Sequence, residues 1–491
     1  MPSFKHILRS PFLYALASPI LLSLAETPFD VGILRWVALV PLLILIDSPT
    51  QKRKRLFFIW LSFLLYITGQ YSLVWSTLPF EWLRFESVWY ARIALGFFFL
   101  LYPSLIALSA LLFYYAHKKI YLFPILFIIV EYLRSIFFSA LTLGAPSSVA
   151  DNLSYGLLAY SVHGSEALLR LAPLLGIYGF SFFIATINTC IYALFKNKPF
   201  ARTTIAAGTL LCIFFVGIEF FAFPTREKIT GKIVPVISIE RVVPARFTQI
   251  ESYPLERALL YESRVREALR EHPETELIIL PENSQFIPSL ARERDTSEED
   301  VITDLLGKDT ERMLVYGDYD YEEKQSRISF VSNLNPKMIR SLQKEILMPF
   351  GEYQPYIAGW LAKRVGGASW LEEIELYREL HSGEDGERTI EWRGNTIVGA
   401  SCSEIFAPYI YSNLKKDPPN LIIQVQRLVI FHNDTRVWKH ALAASQLYAA
   451  TLRTYIVGSV DGGEGSYIID PKGKLIGEKN ESGYIYGTLH L

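Results

Sequence analysis

The chain has 491 residues, 51% of them hydrophobic and 14% aromatic, with a formal net charge of -1; this apolar content belongs to a protein partly dissolved in lipid. The balanced charge excludes a globally basic surface of the kind nucleic-acid phosphates require. Only three cysteines occur, and two of them, Cys190 and Cys212, lie in apolar runs, which excludes a disulfide framework in the polar half. The sequence also lacks CxxC pairs, HExxH, a Walker loop and GxSxG, so neither metal-site nor serine-hydrolase chemistry is expected.

In chain order, seven apolar segments come first, near 11–26, 31–47, 56–75, 90–116, 120–140, 167–195 and 203–223. Each is close to or above the roughly 20 residues that cross a bilayer as a helix. The basic stretches alternate with them. Lys5 and Arg9 precede the first segment, "QKRKR" (51–55) follows the second, "HKK" (117–119) the fourth and "KNKPFAR" (196–202) the sixth, while "ETPFD" and "GAPSSVADNLSYG" have no Lys or Arg. Because Lys and Arg stay on the cytoplasmic side, the N-terminus is expected inside and everything after about 225 outside. "ALAS" (15–18) resembles a signal cleavage site, but it falls mid-segment and further spans follow, so an uncleaved first helix is expected. The pair Glu131 and Arg134, at i and i+3 in the fifth segment, is expected to form a structural ion pair.

From about 230 the texture changes. Short β-rich runs appear, including "KIVPVISIE", "ELIILPE", "RMLVYGDY", "RISFVSN", "NTIVGASC", "NLIIQVQ", "TYIVGSV" and "SYIID". Helical patterns lie between several of them, at 256–272, where Leu259, Val265 and Leu269 recur at helical spacing, and at 436–453. Strands alternating with helices predict an α/β sandwich over 226–491, its near-continuous apolar strands covered on both faces. The prediction is thus a multi-pass α-helical membrane domain (1–225) followed by an α/β domain (226–491).

Three segments of the second domain bring a reactive residue to the end of a strand: "LIILPEN" with Glu282, "LQKEILMPFGEY" with Lys344, and "IVGASCSEIF" with Cys402 followed by Glu404. Taken singly, each is an ordinary loop or core residue. Together they supply what thiol chemistry needs: a base to take the proton, a cation to hold the tetrahedral oxyanion, and the nucleophile.

These residues resemble the nitrilase superfamily, and with the apolar first half the chain is similar to the apolipoprotein N-acyltransferase family. Further carriers are "VEYLRS" (130–135), "GAPSS" (144–148), "LLGIYGFSF" (174–182), "WKH" (438–440) and Arg453. The resemblance spans nearly the whole chain, and "KxxLxPFGEY" is its most specific element. It implies an αββα nitrilase-like sandwich in which Glu282 is the general base, Lys344 the oxyanion donor and Cys402 the acyl-carrying nucleophile. Glu352 and Glu404 are implied as supporting carboxylates, and no metal or organic cofactor is needed. The implied reaction is ping-pong: a phospholipid acylates Cys402, and the N-terminal amine of a diacylglyceryl-modified lipoprotein takes the acyl chain. The implied setting is a monomer in the bacterial inner membrane with its catalytic domain on the periplasmic side.

Beyond the turn, the stretch 356–377, with Trp360 and Trp370 among charges, reads either as a lid dipping toward lipid or as an ordinary packed helix and loop. An oxyanion donor acts chiefly in the transition state, so replacing Lys344 is expected to slow turnover with little effect on folding. His440 is expected to be a packing residue. The chain departs from the family pattern at Ser403, where an aromatic residue is usual, at "RIS" (327–329), at "SVDGG" (459–463), at "QVQRLVIF" (424–431), and in having no apolar segment after the α/β domain. A membrane-anchored amidase of nitrilase type and a catalytically weakened lipid- or lipoprotein-binding protein therefore stay open as alternatives.

Overall fold

A computed structural model of the chain describes residues 10–72, 100–150, 153–196, 232–240, 254–282, 286–308, 310–320, 323–349, 351–364, 380–383, 388–431 and 434–491. The expected seventh span and the 225/226 boundary lie outside the described residues, as does Trp370.

The first half is a bundle of apolar helices: α1 (Pro11–Ala25), α2 (Val40–Ile46), α3 (Lys52–Tyr71), α4 (Phe123–Leu141) and α5 (Ala172–Phe195). Two helices among the described residues, Ile120–Leu141 and Ala172–Phe195, are long and apolar enough to cross a membrane. The other segments are more broken than the sequence predicts. The expected second span divides into a 3-10 turn, Gly32–Trp36, and α2, which carries Pro41 in its first turn where a missing N–H costs nothing. In α5 the helix is interrupted at Gly176, with φ +59°, a backbone shape that glycine adopts without a Cβ clash.

Glu131 and Arg134 are both buried in α4, but no ion pair joins them among the described residues. Each turns instead to the loop that follows. Arg134 Nη2 donates to the carbonyls of Tyr155 (2.9 Å) and Gly156 (2.7 Å), and Glu131 Oε1 accepts from the Leu158 amide (2.8 Å). Tyr66 of α3 also donates to the Gly156 carbonyl, at 3.1 Å. Buried charge is thus spent on fixing a loop whose backbone groups would otherwise be unpaired in an apolar setting.

The second half holds two sheets. In the first, the strands run in the order β12-β13-β1-β2-β3-β4-β5, with β1 (Ile233–Ile239), β2 (Leu277–Ile279) and β3 (Met313–Asp320) parallel and β4 (Gln325–Ser332) and β5 (Asn335–Gln343) antiparallel. On the other flank lie β12 (Glu478–Asn480) and β13 (Tyr484–His490). The second sheet runs β11-β10-β9-β8-β7-β6, with β7 (Asn395–Ser401), β8 (Leu421–Arg427) and β9 (Tyr455–Asp461) parallel, flanked by β6 (Thr389–Trp392), β10 (Tyr467–Ile469) and β11 (Leu475–Ile476).

The sheets face each other across a core that includes Val236, Ile279, Val315 and Phe330 from one and Ile397, Ile423, Val425 and Val457 from the other. On the outer face of the first sheet pack α6 (Pro254–Glu271), α7 (Phe286–Glu293) and α8 (Glu298–Leu306). The helical period expected over 256–272 is present, but Ala258, Tyr261, Val265 and Ala268 make the buried stripe and Leu259 is exposed. After β5 come α9 (Tyr356–Arg364) and α10 (Pro408–Leu414); α11 (Thr435–Leu452) then covers the outer face of the second sheet. The layers are therefore αββα.

One hydrophobic core runs from the bundle through α11 to the second sheet. It joins Phe113, Phe127, Phe180 and Ile184 to Ala441, Ala444, Leu447 and Tyr448 and on to Val398, Ile422 and Ile456. Hydrogen bonds cross the same junction: the Ser154 amide to the Phe406 carbonyl at 2.8 Å, Tyr353 to the Thr142 carbonyl at 2.9 Å, and the Tyr356 amide to the Leu143 carbonyl at 2.9 Å.

Candidate active site

The sheet architecture brings three loop starts to one place. Glu282 lies three residues beyond β2, Lys344 directly follows β5, and Cys402 directly follows β7 on the facing sheet. Glu282 and Cys402 thereby lie beyond the carboxyl ends of parallel strands, where an α/β sheet leaves room for a ligand, and the antiparallel β5 delivers Lys344 beside them. Cys402 opens a 3-10 turn, Cys402–Phe406, at φ +39°, an uncommon conformation for a residue with a Cβ. Such strain clusters at functional positions.

Lys344 is only 2% exposed and makes two charge-assisted contacts, with Glu352 Oε1 at 2.8 Å and Glu282 Oε1 at 3.3 Å. Burial alone would lower the Lys344 pKa, but Glu282 and Glu352 outweigh it, and the ammonium is held charged well above its ordinary range. Burial raises the pKa of Glu352, and Lys344 opposes that rise. Glu352 also accepts from the Met348 amide (2.6 Å) and from the Tyr319 hydroxyl (3.0 Å). Burial first, then the charge of Glu282, pushes the Cys402 thiol up to about 12, with Lys344 pulling the other way. At neutral pH the thiol is therefore protonated, and it can act as a nucleophile only if a base takes its proton as it attacks.

Glu404, 2% exposed, ties the nucleophile's strand to the lysine's segment. Its Oε2 accepts from the Ser401 amide (2.8 Å), and its Oε1 from the amides of Glu345 (2.9 Å) and Ile346 (3.4 Å) and from Arg388 (2.9 Å). Arg388 is shared with Glu345, to which its Nε donates at 2.7 Å. Ser403, at the position that departs from the family pattern, donates to the Ile346 carbonyl at 2.5 Å, a second tie of the same kind. Beside this clamp a cavity of about 560 Å³ opens between the bundle and the lysine segment, lined in part by Ser139, Thr142, Ser147, Ile346, Tyr353 and Ser382.

The structure therefore brings Glu282, Lys344, Cys402, Glu352 and Glu404 together in one cluster, its carboxylates and lysine buried and Cys402 half-buried. Trp360 lies apart from it on α9, half exposed, with the Arg364 guanidinium 4.5 Å over its ring. His440 is buried, and its ring centroid is 4.4 Å from that of Tyr155. Burial pushes its pKa down to about 3, so it is a neutral packing residue, as expected. Sequence reasoning does not single out Ser401, Tyr319 or Arg388. The serines of "GASCSE" are the one available signal, since two hydroxyls beside a nucleophile at the end of an apolar strand need partners. Among the described residues, no group of three or more His, Cys, Asp or Glu is placed to hold a metal ion.

Residues 18–190 match the family model described as the apolipoprotein N-acyltransferase N-terminal domain. The apolipoprotein N-acyltransferase of Haemophilus influenzae is 23% identical over 95% of this chain and 86% of its own length. That of Geobacter metallireducens is 25% identical over 72% of this chain and 67% of its own. Among solved structures, a nitrilase-superfamily protein of Saccharomyces cerevisiae covers 54% of this chain and 93% of its own, at 15% identity and TM-score 0.37. A Nesterenkonia amidase of the same superfamily covers 52% and 90%, at 16% identity and TM-score 0.36.

Proposed function

From the premise that this chain is a divergent member of the apolipoprotein N-acyltransferase family, we propose that it moves an acyl chain from a phospholipid, through a thioester on Cys402, to the N-terminal amine of a diacylglyceryl-cysteine lipoprotein. The observation that carries this reading is the buried ammonium of Lys344 between two carboxylates, within electrostatic reach of the Cys402 thiol, on the side of the sandwich that packs on an apolar bundle.

In the first half-reaction Glu282 takes the thiol proton and Sγ forms a bond to the ester carbonyl carbon. The oxyanion is held by Lys344, which needs no reorganisation because Glu352 already fixes it. Collapse of the intermediate breaks the ester C–O bond, and the proton passes from Glu282 to the leaving lysophospholipid oxygen. In the second half-reaction the lipoprotein amine attacks the thioester, Glu282 takes the amine proton, the C–S bond breaks, and the proton returns to Sγ. No redox step occurs, and no cofactor is required.

In this reading the bundle is a multi-pass membrane domain of about seven helices over 1–225, with 226–491 outside the bacterial inner membrane, where both lipid-anchored substrates lie. The cavity beside the lysine segment is the way in from the bundle, and the exposed Trp360 belongs to a segment, 356–377, that meets lipid and carries Trp370 further along its sequence.

Incubation of the purified protein with acyl-labelled phospholipid and a diacylglyceryl peptide is expected to move label to the peptide amine, and Cys402→Ala to lose the acyl-enzyme detected by mass spectrometry. Label appearing in free fatty acid instead would favour an amidase-type hydrolase, and label staying in phospholipid would favour a binding protein. An acyl-enzyme that persists in Cys402→Ala overturns the nucleophile.

A further inference from the structure

Ser401, the last residue of β7 and 1% exposed, donates its hydroxyl to Glu282 Oε1 at 2.7 Å. That is closer than the Lys344 ammonium, which reaches the same oxygen only at 3.3 Å because it leans toward Glu352 at 2.8 Å. Oε1 thus has two donors, one neutral and near, one charged and farther. A carboxylate held on one oxygen in this way is fixed in orientation, and its other oxygen is left as the basic one. The serine is itself held: its amide donates to Glu404 Oε2 at 2.8 Å, so the hydroxyl is presented from a strand end with little freedom.

We propose that Ser401 is a positioning residue for Glu282: its hydroxyl pins Oε1 and commits Oε2 to receive the Cys402 proton. The Sγ–H bond breaks, the proton goes to Oε2, and the electron pair stays on sulfur. The inference rests on the catalytic reading above in taking Glu282 as the base. The charged and titratable groups facing Glu282 are Lys344, Glu352, Tyr319 and Cys402, with Arg427 bonded to the thiol through its backbone.

The test needs no lipid substrate. The rate of Cys402 alkylation by iodoacetamide is followed against pH by mass spectrometry of the Cys402 peptide, in the parent, Ser401→Ala and Ser401→Thr, each checked for an unchanged melting transition. A hydrogen bond to an ionised group favours that ionised form. Its loss in Ser401→Ala is expected to move the acid limb of the profile to higher pH by about one unit, a tenfold fall in rate on that limb. Ser401→Thr, which restores a hydroxyl, is expected to keep the parent profile. A Ser401→Ala profile that superimposes on the parent, or one whose plateau falls while its limb stays in place, overturns the proposal. So does a folded Ser401→Thr that behaves like Ser401→Ala. A parent that is alkylated with these pH limbs but never acquires an acyl chain from phospholipid would leave the serine's role standing and remove the acyltransferase reading.

Discussion

Lys344 sits where two carboxylates would otherwise face each other without a cation, which gives it a structural task whatever its chemistry. That geometry argues against the sequence-based expectation that its loss would spare the fold. Lys344→Met is expected to cost about 3–5 kcal/mol at neutral pH, since it strands buried charge. The loss should shrink as pH falls, because burial already raises the Glu352 pKa and a protonated carboxyl needs no cation. Thermal midpoints at pH 5 and pH 8, with Lys344→Met/Glu352→Gln recovering part of the loss, check this. Asp318 gives a second pH signature. Burial pushes its carboxyl up to about 6, so ionisation there works against folding: the favourable contribution present below pH 3.8 is lost as pH rises through about 6. Asp318→Asn is expected to match the parent near pH 4 and to gain about 2 kcal/mol above pH 7, read from the same melting curves. Glu282, Lys344 and Cys402 drew attention in the sequence as reactive residues at strand ends, and Glu352 and Glu404 through the family resemblance. Ser401, Tyr319 and Arg388 did not, because their contacts depend on which segment lies opposite, and β6, beside Arg388, was itself missed.

The "PFGEY" turn is held from both sides: Glu352 by Lys344, Tyr319 and the Met348 amide, and its neighbour Tyr353 by the bundle, through the Thr142 carbonyl. Gly144 is the point of closest approach. A Cβ there would lie 2.5 Å from the Tyr353 ring and 2.9 Å from the Gln354 carbonyl oxygen, which is backbone and cannot swing aside. Gly144→Ala is expected to cost about 1–3 kcal/mol by overpacking and to reduce turnover more than a surface change would, because the displaced turn carries Glu352. Equal melting and equal acyl transfer in Gly144→Ala would show that the junction can slide. The glycine of "GAPSS" entered the sequence reading only as a family likeness, and its steric reason lies about 200 residues away.

The α/β half was readable as a whole because its strands are short apolar runs punctuated by helical periods, a pattern that two covered sheets impose. The bundle was readable as apolar but not in its breaks, since 3-10 turns and the interruption at Gly176 leave mean hydropathy unchanged. Orientation follows from charge alone and is open to direct measurement. In sealed cells, a membrane-impermeant maleimide is expected to label Glu481→Cys, exposed on the α/β half, and to spare Lys54→Cys, exposed in the basic "KRKR" stretch; the reverse pattern would invert the topology. The apolar core that passes from α4 and α5 through α11 into the second sheet has a consequence for modularity. The change of composition near residue 230 divides the chain as text but not as a folding unit. Removing residues 1–196 would leave α11 with Ala441, Leu447 and Tyr448 facing water, so the sandwich is not expected to stand alone as a soluble hydrolase.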